Sequence, residues 1–359
     1  MDIGIVGLPN VGKSTLFNAL TGAAAAASNF PFTTIEPNVG IVPIPDDRLF
    51  RLSQEFGGST KITPAAIRFV DIAGLVKGAS EGEGLGNQFL ANIRNVDAIA
   101  HVVRCFKDDN VINVMNELNP IDAADIIETE LMLSDLQQAQ KAHDKWIRPA
   151  KCGDAAAQAK VEVLAVVLKG LNEGIPVRMN KEVNREAVAE FQFITMKPVM
   201  YVANTDESGP DQELLKTLKA RAVKEGAAII ELCTKFEAEI VQLPPEERKE
   251  YYDAAGIGSP GLQRLAQAGR ELLGLQAFFT AGVQETRAWL IEKGTKAPQA
   301  AGKIHSDIER GFIKAEVYRY KDLETLGSYK AIQEAKKITI EGKEYEVQEG
   351  DVIFFKFSV

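Results

Sequence analysis

Near the amino terminus the residues Gly7-Leu8-Pro9-Asn10-Val11-Gly12-Lys13-Ser14 have the types and spacing of a loop that wraps phosphate. Its glycines let the backbone pass close to a ligand, so that successive N–H groups and the start of the next helix point at negative charge. Lys13 would then reach the β and γ phosphates, and the Ser14 hydroxyl would bind Mg²⁺. The loop comes after an apolar run, Ile3 to Val6, and precedes a helical pattern, Thr15 to Leu20, which is the context this chemistry needs. Asn10, Val11, Gly12, Lys13, Ser14 and Thr15 are the expected nucleotide contacts at this end.

Kinases, ATPases and GTPases all use such a loop, and residues further along the chain separate them. Asp71-Ile72-Ala73-Gly74 closes a strand-like run; there Asp71 is expected to hold Mg²⁺ through a water and the Gly74 N–H to meet the γ phosphate. Alone, two fixed positions in four are common, and it is the placement after the phosphate loop that gives the motif weight. The polar stretch Asn29 to Pro37 contains Thr33 and Thr34, of which Thr34 is the expected switch ligand to Mg²⁺ and the γ phosphate; a turn with two exposed hydroxyls is the plain alternative. Lys13, Thr34 and Gly74 are thus the groups expected to act on the reacting phosphate. Five glycines within the thirteen residues Gly74 to Gly86 read as a segment able to order around a γ phosphate and relax when it leaves. Leu75 stands where many GTPases carry a water-orienting glutamine, so hydrolysis is expected to be slow unless a cation or partner supplies that group.

For the base, Asn204-Thr205-Asp206-Glu207 ends the fifth strand run. A guanine site presents Asn-Lys-x-Asp, whose carboxylate accepts from both N1–H and the exocyclic amine. Here threonine replaces the lysine and glutamate, one methylene longer, replaces the aspartate. Adenine offers an acceptor at N1, so losing the intact guanine clamp shifts the balance toward ATP while Asn204 can still bond the base. One bidentate pair discriminates by about 1–3 kcal/mol, which leaves room for weaker GTP use. Cys233, after the sixth strand run, is a further expected base contact, although Leu232-Cys233-Thr234 says little alone.

The elements that must position these groups are legible as alternation. Short β-branched runs at Asp2–Val6, Val39–Ile44, Ala66–Val70, Ala98–Val103, Pro198–Ala203 and Ala227–Leu232 are separated by helical patterns, which predicts an α/β domain with a mostly parallel sheet. From Asp122 to Thr195 the apolar spacing is helical on both sides of a break at Cys152-Gly153-Asp154, predicting an inserted helical hairpin. After Gln276 come short strands and turns, with Glu341-Gly342 and Glu349-Gly350 as turn signals, predicting a small α+β domain. The expected division is 1–121 with 196–275 for the phosphate-loop domain, 122–195 for the arm and 276–359 for the last domain.

Composition narrows the partners. A formal net charge of -9 over 359 residues excludes a histone-like binder, and any RNA or anionic membrane contact has to be local. The three cysteines form no CxxC pair and suit a reducing cytoplasm. Met1-Asp2 leads straight into a strand, unlike a signal peptide, and no apolar run is long enough for a membrane span. His101, His143 and His305 are dispersed and are read as packing residues, neither metal ligands nor bases. Monomer is the default expectation.

Taken together, these stretches resemble the Obg-related ATPases called YchF in bacteria and Obg-like ATPase in eukaryotes. The resemblance rests on Gly4 to Ser14, Asn29 to Asn38, Phe69 to Ala79, Gly84 to Leu90, Asn204-x-x-Glu207 and Ala300 to Val317, spanning nearly the whole chain. It implies a G domain, an α-helical arm and a C-terminal TGS domain of β-grasp fold. It also implies ATP hydrolysis in preference to GTP, Mg²⁺ at Ser14 and Thr34, and association with the ribosome or its large subunit. Asn10 resembles the asparagine of potassium-stimulated relatives, which motivates K⁺ as a second cofactor. The chain departs from the family pattern at Asn113, where members often carry histidine.

These residues read as a nucleotide-controlled factor acting on the translation machinery. The main rival is a nucleotide-gated RNA or protein scaffold with vestigial hydrolysis. Lys141, His143, Lys145, Arg148 and Lys151 at the hairpin tip suit a phosphate backbone, with RNA contact expected through the tip and the last domain; a solvated helix end is the plain alternative. A small-molecule kinase is disfavoured because it has no use for the DxxG segment.

Overall fold

The structure is a computed structural model that describes residues 1–26, 38–72, 85–108 and 118–358. Its elements run β1 (Asp2–Val6), α1 (Lys13–Ala26), β2 (Val39–Ile44), α2 (Asp47–Glu55), β3 (Lys61–Thr63), β4 (Ala65–Asp71), α3 (Leu85–Arg94), β5 (Ala98–Arg104), α4 (Pro120–Lys151) and α5 (Ala155–Asn172). Next come α6 (Arg185–Val188), β6 (Val199–Asn204), α7 (Gln212–Glu225), β7 (Ala228–Leu232), α8 (Thr234–Ile240), α9 (Pro245–Ala254), α10 (Gly261–Leu272), β8 (Leu275–Thr280) and β9 (Glu285–Glu292). The chain closes with α11 (Ala297–Gly302), α12 (Ser306–Arg310), β10 (Phe312–Arg319), α13 (Tyr320–Leu326), α14 (Tyr329–Glu334), β11 (Thr339–Glu341) and β12 (Asp351–Phe357). The described residues group into two compact units: 1–26, 38–41, 68–72, 85–108 and 118–265 in one, 42–67 and 266–358 in the other.

The first sheet has the order β2-β4-β1-β5-β6-β7, and β4, β1, β5, β6 and β7 pair in parallel. Every residue of β5 and β6 is buried, which is why these strands read as continuous apolar runs with no alternation. All six expected runs of this sheet are strands. Because the pairings are parallel, the carboxyl ends of β1, β4, β5, β6 and β7 share one edge.

The arm is built as its break suggested. Asn119 caps α4 by accepting from Ile121 N, with Pro120 at the first helical position, where its missing N–H costs nothing. Asp154 caps α5 through Ala156 N and Ala157 N, and Gly153, at φ +89°, makes the turn between them. Ala139, Leu164, Val167, Leu171, Val177, Val188 and Phe193 form the arm's apolar core. Fully buried Asp135 accepts from Ile194 N (2.9 Å), Thr195 N (2.7 Å) and Thr195 Oγ1 (2.7 Å), fixing the returning chain against α4. At the arm's base Arg178 forks onto Glu128 at 2.9 and 2.5 Å and reaches Glu225 on α7, which also takes Arg221 at 2.7 Å and the Tyr201 hydroxyl at 2.8 Å.

In the second unit the strand order is β11-β10-β12-β8-β9-β3. Without β3 this is the β-grasp order: two antiparallel strand pairs, β8–β9 and β10–β11, flanking a central β12 that pairs parallel with β8 and antiparallel with β10. Residues 42–67 differ from the sequence reading, which placed them with the phosphate loop. Leu49 and Leu52 of α2 join Phe279, Tyr318, Leu323 and Val352 in one core, and β3 pairs in parallel with β9. A three-residue strand is too short to show alternation, so periodicity could not reveal it. The segment Lys343 to Val347, between the two turn signals, contributes only an isolated bridge between Glu346 and Lys296.

His101 on β5 is buried against Tyr201, with ring centroids 5.7 Å apart. Burial, reinforced by the nearby cations Arg221, Arg178 and Lys13, lowers its pKa from 6.5 to about 3. The unfolded chain protonates this imidazole near 6.5 and the folded chain does not, so stability is fully present above that pH and falls as pH drops toward 3, by about 1.4 kcal/mol per unit. His101→Phe should remove this slope. In denaturant melts, the wild type should lose roughly 2 kcal/mol relative to the variant between pH 6.5 and 5; a constant difference would refute the assignment.

Candidate functional site

Four strand ends on the shared edge supply one cleft of about 580 Å³. From the loop after β1 come Asn10, Gly12, Lys13, Ser14 and Thr15; from the end of β5, Phe106 and Asp108; from β6, Asn204, Thr205 and Asp206; from β7, Cys233, Thr234 and Lys235. Asn10 holds a left-handed φ of 63° and Gly12 one of 100°, which turns the loop tightly into α1. At Gly12 a Cβ would collide with the Asn204 amide nitrogen and stand 3.0 Å from Thr234 Oγ1, so only glycine fits. Leu16 N donates to Gly12 O at 2.9 Å, beginning the helix whose free N–H groups face this end.

Lys13 is buried, and its Nζ donates to Leu8 O at 2.9 Å. An ammonium carries three protons, so two remain for phosphate oxygens. Burial lowers its pKa, opposed by the Asp71 carboxylate, while burial raises Asp71, opposed by Lys13. Each charge is thus poorly hydrated and compensated by the other, an environment in which added phosphate and cation charges interact strongly. Ser14, exposed at the first turn of α1, and half-buried Asp71 at the end of β4 offer hard oxygens, the donor set that suits Mg²⁺ with several retained waters. Among the described residues no cluster of three or more His, Cys, Asp or Glu side chains could hold a metal by itself.

On the base side, buried Asn204 is a bracket between loops. Its Nδ2 donates to Val11 O at 2.9 Å and its Oδ1 accepts from Thr234 N at 3.0 Å. One donor and one acceptor of the amide are therefore committed to protein, and what is left for a base is smaller than the sequence suggested. Cys233 lines the cleft and caps α8 through Phe236 N at 3.5 Å; burial raises its pKa, so it is a neutral thiol. Glu207 is not among the cleft-lining residues and pairs with Lys235 at 2.8 Å, while its neighbour Asp206 does line the cleft.

Thr33, Thr34, Gly74, Leu75 and Asn113 lie outside the described residues. Phe106, Asp108 and Lys235 line the cleft without having been singled out in the sequence. Phe106 carried one readable signal, an aromatic directly beyond a buried strand. Buried Arg104 braces it: Nε donates to Phe106 O at 3.1 Å, Nη2 to Asp108 O at 2.8 Å, and the guanidinium lies 4.8 Å from the Phe106 ring centre.

Comparison with known proteins bears on this geometry. Residues 2–145 match a family model described as 50S ribosome-binding GTPase, and residues 275–358 match YchF-GTPase_C, described as a protein of unknown function (DUF933). The chain is 49% identical over 359 residues to the ribosome-binding ATPase YchF of Escherichia coli O157:H7, covering 99% of each. It is 48% identical over 365 residues to the protein of the same name from Bacillus subtilis, covering 100% of each. Among solved structures, the Schizosaccharomyces pombe YchF GTPase superposes with a TM-score of 0.87 at 35% identity, over 99% of this chain and 97% of that one. A GTP binding protein from Pyrococcus horikoshii OT3 shares the fold, with a TM-score of 0.61 at 20% identity and 100% of each chain covered.

The Asn204 bracket generates a prediction. Asn204→Ala leaves Val11 O and Thr234 N without their buried partner, which should cost about 1–3 kcal/mol of unfolding free energy. It should weaken adenine and guanine nucleotides alike, at least tenfold, in titrations with fluorescent analogues. Weakening of one purine alone would mean that the amide reads the base and does not hold the loops.

Proposed function

The chain belongs to the YchF family, and on that premise we propose a ribosome-associated P-loop nucleoside triphosphatase that hydrolyses ATP in preference to GTP. The observation that carries the base preference is the cleft's far end, where Thr205, Asp206 and Cys233 are lining residues and the Glu207 carboxylate is engaged elsewhere. Guanine would lose its bidentate partner there, whereas adenine requires none. Phe106 offers a ring on which either purine can stack.

At the phosphate end, Lys13 and the N–H groups of Gly12 to Thr15 bind and orient the β and γ phosphates. Ser14 and Thr34 directly, and Asp71 through water, would hold Mg²⁺, whose contribution when bound is to neutralise charge on phosphate oxygens. In this reading the Gly74 N–H meets the γ phosphate. Leu75 cannot orient water, so intrinsic turnover is slow, and K⁺ beside Asn10 or the partner supplies the missing stabilisation.

For the partner, exposed Lys141, Lys145 and Arg148 fall at i, i+4 and i+7 on one stripe of α4, with Lys151 beyond them. Lys145 and Lys160 lie 5.2 and 4.3 Å from the Trp146 ring centre, leaving a basic and aromatic end to the arm that suits ribosomal RNA. We assign a second contact to the C-terminal TGS unit, with the chain acting as a cytoplasmic monomer. No described helix is long and apolar enough to cross a membrane.

Steady-state hydrolysis of ATP and GTP, with and without purified ribosomes, tests the core of this reading. ATP should be preferred, ribosomes should stimulate, K⁺ should exceed Na⁺, and Lys13→Ala should lower kcat at least a hundredfold. GTP preference would sink the base assignment, and tight ATP binding without turnover under any condition would favour a nucleotide-gated scaffold. Reversing Lys141, Lys145 and Arg148 to Glu should weaken ribosome co-sedimentation and flatten its salt dependence by about one logarithmic unit of slope per charge; an unchanged slope would remove the arm tip from the interface.

A further inference from the structure

Lys235 belongs to no part of the phosphate-binding machinery, yet it lines the cleft and forms an ion pair with Glu207, which does not line it. Its Nζ is 2.8 Å from Glu207 Oε1. The two residues come from different loops, one following β6 and the other opening α8, and Asn204 already ties the second of these loops to the phosphate loop through Thr234 N. Glu207 sits in a tight turn closed by Gly209 N donating to Asp206 O at 3.0 Å, with Gly209 at φ +102°. Glu207, the second residue of that turn, is exposed, and the ion pair to Lys235 holds its carboxylate.

We infer that Lys235 is a specificity-determining residue, holding the Glu207 carboxylate in an ion pair so that it does not serve guanine. The inference rests on the base reading above and adds to it the residue that enforces it. Guanine offers two adjacent donors, N1–H and the 2-amino group, and recognising both takes both oxygens of one carboxylate. With Oε1 committed to an ammonium, the bidentate geometry is lost and the negative charge that would attract those donors is neutralised. Adenine presents a lone pair at N1, so a free carboxylate would repel it and a compensated one is tolerated. The sequence change from Asp to Glu is therefore only part of the discrimination: the longer side chain reaches Lys235, and the lysine keeps it there. Asp206, the other carboxylate at this end, takes the Ser208 hydroxyl at 3.2 Å.

Both partners are well exposed, at 66% and 47%, so substitutions here should leave the fold intact, and the effect is modest because water and salt screen the pair. The experiment measures Kd for ATP and GTP in the full-length wild type, Lys235→Ala, Lys235→Arg, Glu207→Gln and Lys235→Ala/Glu207→Gln, with thermal melts as a folding check. Lys235→Ala should shift the ratio toward GTP by about three- to fivefold. Lys235→Arg should keep the wild-type ratio, and the double variant should lose the gain, because the freed carboxylate is what binds guanine. A ratio unmoved by Lys235→Ala in an ATP-preferring wild type overturns this inference alone, as does an equal shift with and without Glu207. A wild type that binds GTP as tightly as ATP overturns the base reading and this inference with it.

Discussion

The Asn204 carboxamide, bonded to Val11 O on one side and Thr234 N on the other, is the contact on which the cleft depends. It is buried, so both bonds form away from competing water and neither can be lost without stranding a polar group. Gly12 packs against the same amide nitrogen, and Thr234 opens α8, which carries Lys235. One side chain therefore sets the spacing between the loop that follows β1 and the loop that opens α8. The parallel register of β1, β5, β6 and β7 makes this possible, because it delivers all the loop starts to one edge.

Electrostatics divides the same unit into groups that must stay charged and groups that must not. Lys13 and Asp71 compensate each other in a partly desolvated site that receives more charge when phosphate enters. A short way along the sheet, His101 is kept neutral by burial and by the surrounding cations. Cys105 is pushed up to about 12 by burial, with Glu231 and Asp211 adding to it, so its thiol stays inert. The arginines beside His101 belong to the network of Glu128, Arg178, Glu225, Arg221 and Tyr201 that joins the arm to α7. Such buried pairs add little net stability, but removing one member strands a charge, so they hold the arm's base in one arrangement.

The C-terminal unit obeys a different constraint. A β-grasp sheet leaves β9 with an open edge, and unpaired edges invite association. Here β3 covers that edge, anchored by Thr63 Oγ1 to Glu285 and by Ser59 Oγ to Thr286 Oγ1, each at 2.7 Å. Arg48 binds Asp46 and Glu349 and lies 4.7 Å from the Phe279 ring centre, so α2 is held by charge as well as by Leu49 and Leu52. A segment far upstream in sequence thereby completes the second unit.

Local chemistry was legible in the sequence by itself. The phosphate loop is encoded by residues adjacent along the chain, the parallel strands by unbroken apolar runs, and the arm by helical spacing either side of Cys152-Gly153-Asp154. Each depends on neighbours within a few residues, which is the range over which propensity and periodicity act. Only the tertiary structure decided what depends on distant partners. It showed Asn204 engaged by two loops, Glu207 turned to Lys235, Phe106 braced by Arg104, and residues 42–67 packed with the C-terminal strands. The physical reason is common to all four: a hydrogen bond, an ion pair or a strand pairing is specified by where two side chains or backbones meet in space, and a linear pattern records only one member of each pair.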